Sequence, residues 1–595
     1  MQTPRNLALS ALLLTAALAM GCATPKTPAP GNDPATRLHD LFAREWELRL
    51  EAQPLFATSV GRHEWDHLLP AVRVEDQERQ VEAWRGLLTE LDRIDRTALE
   101  AKDQVSYDIF RAQLEDFIDH FEYGAYQIPV TVDSGFHIGF ARLPSSMPFT
   151  EGKGYENYIA RLRAFPDYVD QHIELMRGGI ERGMTLPRIV LEGYEVTIES
   201  HVVDDPTTSL FYRPFESFPE TMPDAERDRL RQEGEEAIRT AVVPGYRSFL
   251  EFMVGEYIPG ARTTLGASQL PDGETYYTQR IRHFTTLDLS AEEIHQLGLS
   301  EVARIRAEMD AIIEEVGFEG DFAAFLDFLR TDPRFYPKTA EELLKQASFL
   351  AKTMDGKLPA LFGRLPRMPY GVAPVPDHLA PKYTAGRYVG TSPGATRPGY
   401  YWVNTYALES RPLYVLPALT LHEAVPGHHL QISLAQELDD LPDFRRYTYL
   451  SAFGEGWGLY SEFLGVEAGI YTDPYSRFGR LTYEMWRACR LVVDTGLHAK
   501  EWTRDQALDY MGSNTALSLH EVRTETDRYI SWPGQALAYK IGELEIKRLR
   551  REAEEALGER FDIRGFHDAV LANGSVPLPV LETVIRGWIE EAKAG

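Results

Sequence analysis

The sequence predicts a mostly α-helical protein with one small β-sheet. Two observations carry this. Apolar residues recur at three- and four-residue spacing through most of the chain, the period of a helix with one buried face. The stretch 367–406 changes character, being dense in Pro, Gly, Tyr and Val and poor in helix formers. With 595 residues, 44% of them hydrophobic and 26% charged, the chain can bury a large core or several subdomains.

Residues 1–21 read as a signal peptide rather than as fold. Arg5 supplies a short positive region, 7–20 is apolar, and Ala19-Met20-Gly21-Cys22 has the form of a lipobox. Cys22 is the expected lipid attachment point, and 22–35 a flexible Thr/Pro/Ala/Gly linker. Ala23 after the cysteine favours the outer membrane, with the protein facing the periplasm. The apolar stretch is too short for a stable membrane span.

Helical periodicity then runs over 35–121. An irregular Pro- and Gly-rich stretch occupies 126–147. Helices are expected over 154–183 and 186–201, and one or two long ones over 224–257. Pro271-Asp272-Gly273 is a turn sequence, which places a boundary between an N-terminal helical lobe at 36–275 and a C-terminal half at 276–595. Ser290 with Glu293 forms a capping box that starts a helix running to about 316. Further helices are expected over 321–330 and 339–361. Two or three strands fill 367–406, the best at 399–406. From 416 onward helices return: 474–500, 506–511, 516–529, 533–555 and 576–591, with Pro533 as the first residue of its helix.

The chemistry concentrates in Leu421-His422-Glu423-Ala424-Val425-Pro426-Gly427-His428-His429-Leu430-Gln431. Three histidines and a glutamate lie within eight residues of an otherwise apolar run. The nearest template is H-E-x-x-H, where two histidines one turn apart hold zinc and the glutamate is the general base. Here the position four after His422 is Pro426. On a regular helix His429 would share the face of His422 but lie about 10 Å along the axis, too far for Zn–N bonds of about 2.0–2.1 Å. We therefore expect Val425-Pro426-Gly427 to form a bulge that takes up two residues and brings His428 into the second ligand position. His429 is the alternative.

A third ligand is expected in Ser451-Ala452-Phe453-Gly454-Glu455-Gly456-Trp457-Gly458-Leu459-Tyr460-Ser461-Glu462. Glu455 lies among three glycines that would let this helix approach the first one closely. A buried carboxylate needs a charge partner, and a metal is one. Glu462, two turns on and on the same face, is the alternative ligand or a supporting group. Arg490, Asp494 and His498 share one face of the 474–500 helix, either as an ion-pair ladder or, for Arg490 and His498, as wall of the site. Gln535 and Tyr539 lie one turn apart.

Together the 420–431 motif, the 454–462 run, 490–498 and 532–542 resemble the domain of unknown function 885 family, a bacterial family often of lipoproteins. That family is in turn similar to the helical gluzincin peptidases of the angiotensin-converting enzyme, thimet oligopeptidase and carboxypeptidase Taq type. The resemblance implies a two-lobed helical fold around a deep cleft, with the small sheet beside the zinc helix. It also implies a His-His-Glu zinc site completed by Glu455, and a late-helix tyrosine donating to the tetrahedral intermediate. Tyr539 takes that role, with Tyr529 second and a core tyrosine as the plainer reading.

The expected function is zinc-dependent hydrolysis of peptide bonds in short or unfolded peptides, with Zn2+ on His422, His428 and Glu455 and with Glu423 as base. Arg490, Arg523, Arg528 and Lys540 are candidate cations for a substrate's free end. The alternatives are a zinc amidohydrolase acting on a cell-wall or other non-peptide amide, and an inactive peptide-binding lipoprotein. A formal charge of −28 disfavours nucleic acid as a partner, since phosphate contacts need clustered Lys and Arg. Besides Cys22 only Cys489 remains, so no internal disulfide is possible between two mature-domain cysteines.

Overall fold

The computed structural model describes residues 33–594, apart from 378–379, 381–382 and 392–396. The expected signal segment and Cys22 lie outside the described residues. The protein is mostly helical, with one three-stranded sheet. No described helix is long and apolar enough to cross a membrane.

The N-terminal half begins with helices Pro34–Ala52, Val74–Leu91 and Ala101–Glu122, followed by the 31-residue helix Gly152–Arg182. The expected helix over 186–201 is a correction. Only a 3-10 turn, Arg188–Leu191, and a short helix, Val196–Glu199, form there. Pro187 and the positive φ of Gly193 (73°) interrupt the ladder. Residues 224–260 are one helical path with two π-type segments. The expected 275/276 boundary falls inside the helix Gly273–Thr285.

The helix Ala291–Glu315 starts at the predicted capping box, where the Ser290 side chain accepts from Glu293 N–H and Glu293 accepts from Ser290. It lies along Pro474–Ala499. Gly298 permits the approach: a Cβ there would meet Leu491 and Val492 at 2.8 Å. A second close pair is Ser451–Glu467 with Ala538–Leu557. A Cβ on Gly456 would sit 2.5 Å from the backbone of Gly542, and one on Gly542 would overlap the Ala452 carbonyl oxygen. A buried ionic knot ties these helices together. Lys540 Nζ reaches Glu301 at 3.0 Å, Glu484 at 2.9 Å and Glu543 at 2.6 Å.

The sheet comprises β1 Tyr370–Pro374, β2 Gly386–Val389 and β3 Gly399–Val403. β3 is central, parallel to β1 and antiparallel to β2. Both edges of β3 are therefore occupied, and β1 and β2 are the edge strands. The helix expected from Pro533 begins instead at Ala538, after the 3-10 turn Gln535–Leu537, because Gly534 takes a positive φ of 83°.

Gly542→Ala should lower the thermal midpoint, by about 1–3 kcal/mol of overpacking. An unchanged midpoint would mean that the 451–467 and 538–557 helices do not depend on backbone-to-backbone packing.

Candidate metal centre

The motif forms two helices, Leu416–Glu423 and His428–Gln436, rather than one helix with a bulge. Residues 424–427 turn between them through a cis Val425–Pro426 bond. The hydrogen bonds that cross the break are widened: Gly427 N–H donates to Leu421 O at 3.0 Å, and His429 N–H to Ala424 O at 3.1 Å. A Cβ at Gly427 would overlap the carbonyl oxygen of His422, so only glycine fits. Trp457 Nε1 donates to Pro426 O at 2.8 Å and pins the turn to the neighbouring helix.

The break brings the two imidazoles together. The rings of His422 and His428 are 4.8 Å apart and nearly perpendicular. Nε2 of each lies 3.3 Å from the same oxygen, Oε2 of Glu455. One donor atom each from His422, Glu423 and His428 also lies within 4.8 Å of the others. These groups are largely buried, and the Glu455 side chain is 15% exposed. Gly458 makes the space, since a Cβ there would meet the His422 ring at 2.6 Å. The other two glycines act elsewhere: Gly454 faces the Tyr449 ring and Gly456 faces Gly542.

His422 has a carboxylate on each nitrogen, because Nδ1 lies 2.8 Å from Glu462 Oε1. Glu462 is in turn 3.6 Å from Arg487. Burial alone would lower the His422 pKa, but the bonds to Glu455 and Glu462 raise it to about 10. Burial works against ionised Glu455, yet His428 and His422 hold it well below the usual carboxylate range. His428 Nδ1 is buried without a hydrogen-bond partner.

Glu423 is held from the sheet, its Oε2 accepting from the Tyr388 backbone N–H at 2.8 Å. His429 turns away from the cluster. Its Nδ1 faces the Tyr388 hydroxyl at 3.0 Å and its Nε2 the Met368 carbonyl at 3.1 Å. The Tyr539 ring lies 6.4 Å from the His422 ring and roughly parallel to it. Gln535 Nε2 is 3.5 Å from the Tyr539 hydroxyl.

Three expected site residues sit deeper. Arg490 donates to Tyr529 Oη at 2.9 Å and to Glu525 at 2.8 Å, and its guanidinium lies 4.3 Å from the centre of the Tyr539 ring. Tyr529 accepts from Trp486 and Arg490, away from the imidazoles. His498 accepts from Ala267 N–H through Nδ1 and faces the Tyr529 carbonyl through Nε2. Asp494 accepts from the Tyr277 hydroxyl at 2.6 Å and from Gly534 N–H. The 490/494/498 face thus links its helix to its neighbours through one ion pair, Arg490–Glu525, and the hydrogen bonds of Asp494 and His498.

Tyr388, Arg487 and Tyr449 were not foreseen from sequence. The Tyr449 ring is 6.5 Å from the His428 ring and also lines a cavity of about 520 Å3, with Asp108, Gln113, Asp116, Phe117 and His283 on its walls. Only the fold brings these residues to the motif.

In protein stripped with a chelator, the contribution of protonated His422 is fully present below the unfolded value of 6.5 and is lost as pH rises to about 10. The melting temperature of stripped protein should fall across that window, and His422→Gln should flatten that part of the profile. Identical profiles for the two proteins would contradict an imidazolium held between two carboxylates.

Among solved structures, one from Colwellia psychrerythraea, named a putative lipoprotein, superposes with a TM-score of 0.88. It is 29% identical, over 94% of this chain and 100% of that one. A putative lipoprotein of unknown function from Shewanella oneidensis gives 0.71 at 18% identity, over 93% of this chain and 99% of its own, a likeness of fold. No curated protein matches. A family model matches residues 54–585, and the chain belongs to the bacterial proteins of unknown function designated DUF885.

Proposed function

We propose that the protein is a zinc-dependent hydrolase of peptide bonds in short or unfolded peptides, acting in the bacterial envelope. One observation carries the reading: two imidazole nitrogens converge on one carboxylate oxygen at 3.3 Å. Ligands at about 2.0–2.1 Å around a tetrahedral zinc stand about 3.3–3.4 Å from one another, so the donor spacing fits that ion. Charge supports it too. With neutral imidazoles, Glu423, Glu455 and Glu462 outnumber the guanidiniums near them, Arg487 beside Glu462 and Arg387 toward Glu423, so the cluster keeps a net negative charge that favours a cation. The Glu462–His422 bond orients the ring and sets its tautomer, as a carboxylate behind a ligand histidine does.

Zinc held by His422, His428 and Glu455 would supply Lewis acidity for water and for a substrate carbonyl. Glu423, with one oxygen fixed by Tyr388 N–H, is placed to take the proton of the attacking water and return it to the leaving amine. The Tyr539 hydroxyl would donate to the oxygen on which charge develops. β2 supplies the N–H that holds Glu423 and is an edge strand, and an extended peptide could align beside it. The arrangement of His422, Glu423 and His428 with a carboxylate from a following helix supports likeness to the helical gluzincins. The 520 Å3 cavity beside Tyr449 supports a cleft between two lobes. The lipobox and the names of the solved relatives support a lipid anchor at Cys22.

Elemental analysis of residues 23–595 should give about one zinc per chain. His428→Ala should lose it, while His429→Ala should retain it. Glu423→Gln should keep the metal and lose turnover of a peptide library by about 10²–10⁴-fold, the range for a general base. Full turnover in Glu423→Gln would remove the proposed base, and absence of zinc after loading would remove the hydrolase.

A further inference from the structure

The helix Leu519–Ser531 carries a guanidinium toward the same space. Arg528 Nη2 donates to Gln535 Oε1 at 3.2 Å, and Gln535 in turn lies against the Tyr539 hydroxyl. Arg528 is therefore linked through one side chain, Gln535, to Tyr539, the residue that faces His422.

Its charge is only partly answered. Its closest carboxylate is Glu525 at 3.5 Å, which already accepts from Arg490 at 2.8 Å. Two guanidiniums thus share one buried glutamate. Asp133, 39% exposed, stands 3.8 Å from Arg528 Nε, beyond hydrogen-bond range. Arg528 Nε and Arg490 Nη1 are both buried with no acceptor, although the Arg528 side chain is only 12% exposed. A buried cation with an unmade bond is costly. A third guanidinium, Arg387, neighbours Tyr388 on edge strand β2 and forms no ion pair among the described residues. It packs over Tyr383 and interacts electrostatically with Glu423, Tyr539 and Arg528.

The other sequence candidates are excluded by their surroundings. Lys540 is fully buried among three glutamates. Arg490 is 2% exposed and is held behind Tyr539 by Glu525 and Tyr529. Arg523, five residues before Arg528 on the same helix, is rotated about 140° from it at ~100° per residue.

We propose that Arg528, assisted by Arg387, forms a binding site for the free α-carboxylate of a peptide. A planar guanidinium whose Nε–H is unsatisfied is suited to hydrogen bonding with a carboxylate. The inference rests on the hydrolase reading for its consequence, which is that cleavage takes place near a free carboxyl terminus. The site itself is a binding property and is testable without turnover.

The experiment is calorimetric titration of zinc-loaded Glu423→Gln protein, residues 23–595, with pentaalanine and with pentaalanine carboxyl-amide. The free acid should bind about 10- to 100-fold more tightly, the range for a hydrogen bond to a charged group. Arg528→Gln in the same background should abolish that preference, and Arg528→Lys should restore only part of it. Equal binding of acid and amide by the unmutated site would overturn the proposal, whether or not the Arg528 variants fold. Binding of neither peptide would also overturn it. A preserved preference for the acid, beside a wild-type protein that cleaves neither peptide, would support the carboxylate site and sink the hydrolase reading alone.

Discussion

The site depends on one imidazole placed between two carboxylates. His422 meets Glu455 through Nε2 and Glu462 through Nδ1, and both glutamates come from the same helix. Seven residues separate them, almost two full turns, so they project from one face. Gly458, between them in sequence, leaves the room that the ring fills. Burying three such groups is unfavourable unless each charge finds its partner. The geometry therefore fixes how the 416–423 and 451–467 helices meet, and neither can slide without stranding a buried charge.

The second imidazole is set by the interruption between the two motif helices. An unbroken helix would carry His428 about 9 Å along the axis from His422 at ~1.5 Å per residue. The turn at 424–427 instead leaves their ring centres 4.8 Å apart. Gly427 is required where it passes the His422 carbonyl, and Trp457 anchors Pro426 to the helix that bears Glu455. The turn and the third carboxylate are thus positioned by the same packing contact.

The fold class and the members of the cluster could be read from local patterns. Helical periodicity, the Ser290 capping box and the density of His and Glu at 422–429 all lie within short windows. The segment 186–201 was misread because its apolar spacing is helical while Pro187 and Gly193 forbid a continuous ladder. The late helix was placed too early because Pro533 suits a first turn, and nothing local reveals the left-handed conformation of Gly534. Strand order was beyond reach, since pairing is a long-range property: β3 reads as the strongest strand because both its neighbours cover it. The hold of Tyr388 on Glu423 is a backbone N–H, which no side-chain pattern encodes. Spacing along the helix separates His428 from His429 by distance alone, and the structure turns His429 toward Met368 and Tyr388.

Electrostatically the region has two sides. Around His422 the carboxylates of Glu423, Glu455 and Glu462 outnumber the nearby guanidiniums, with Arg487 beside Glu462. Beyond Tyr539 the balance reverses, with Arg490 and Arg528 sharing Glu525 and with Arg387 nearby. Tyr539 stands at the border, its ring parallel to His422 on one side and 4.3 Å from the Arg490 guanidinium on the other. The negative side suits a divalent cation and the positive side suits an anionic group. Because an interior of low dielectric strengthens both preferences, a ligand spanning Tyr539 is favoured when its polarised carbonyl lies toward His422 and its negative end toward Arg528. A peptide with a free carboxyl terminus has that polarity, whereas one entering in the opposite sense would bring its ammonium group against the arginines.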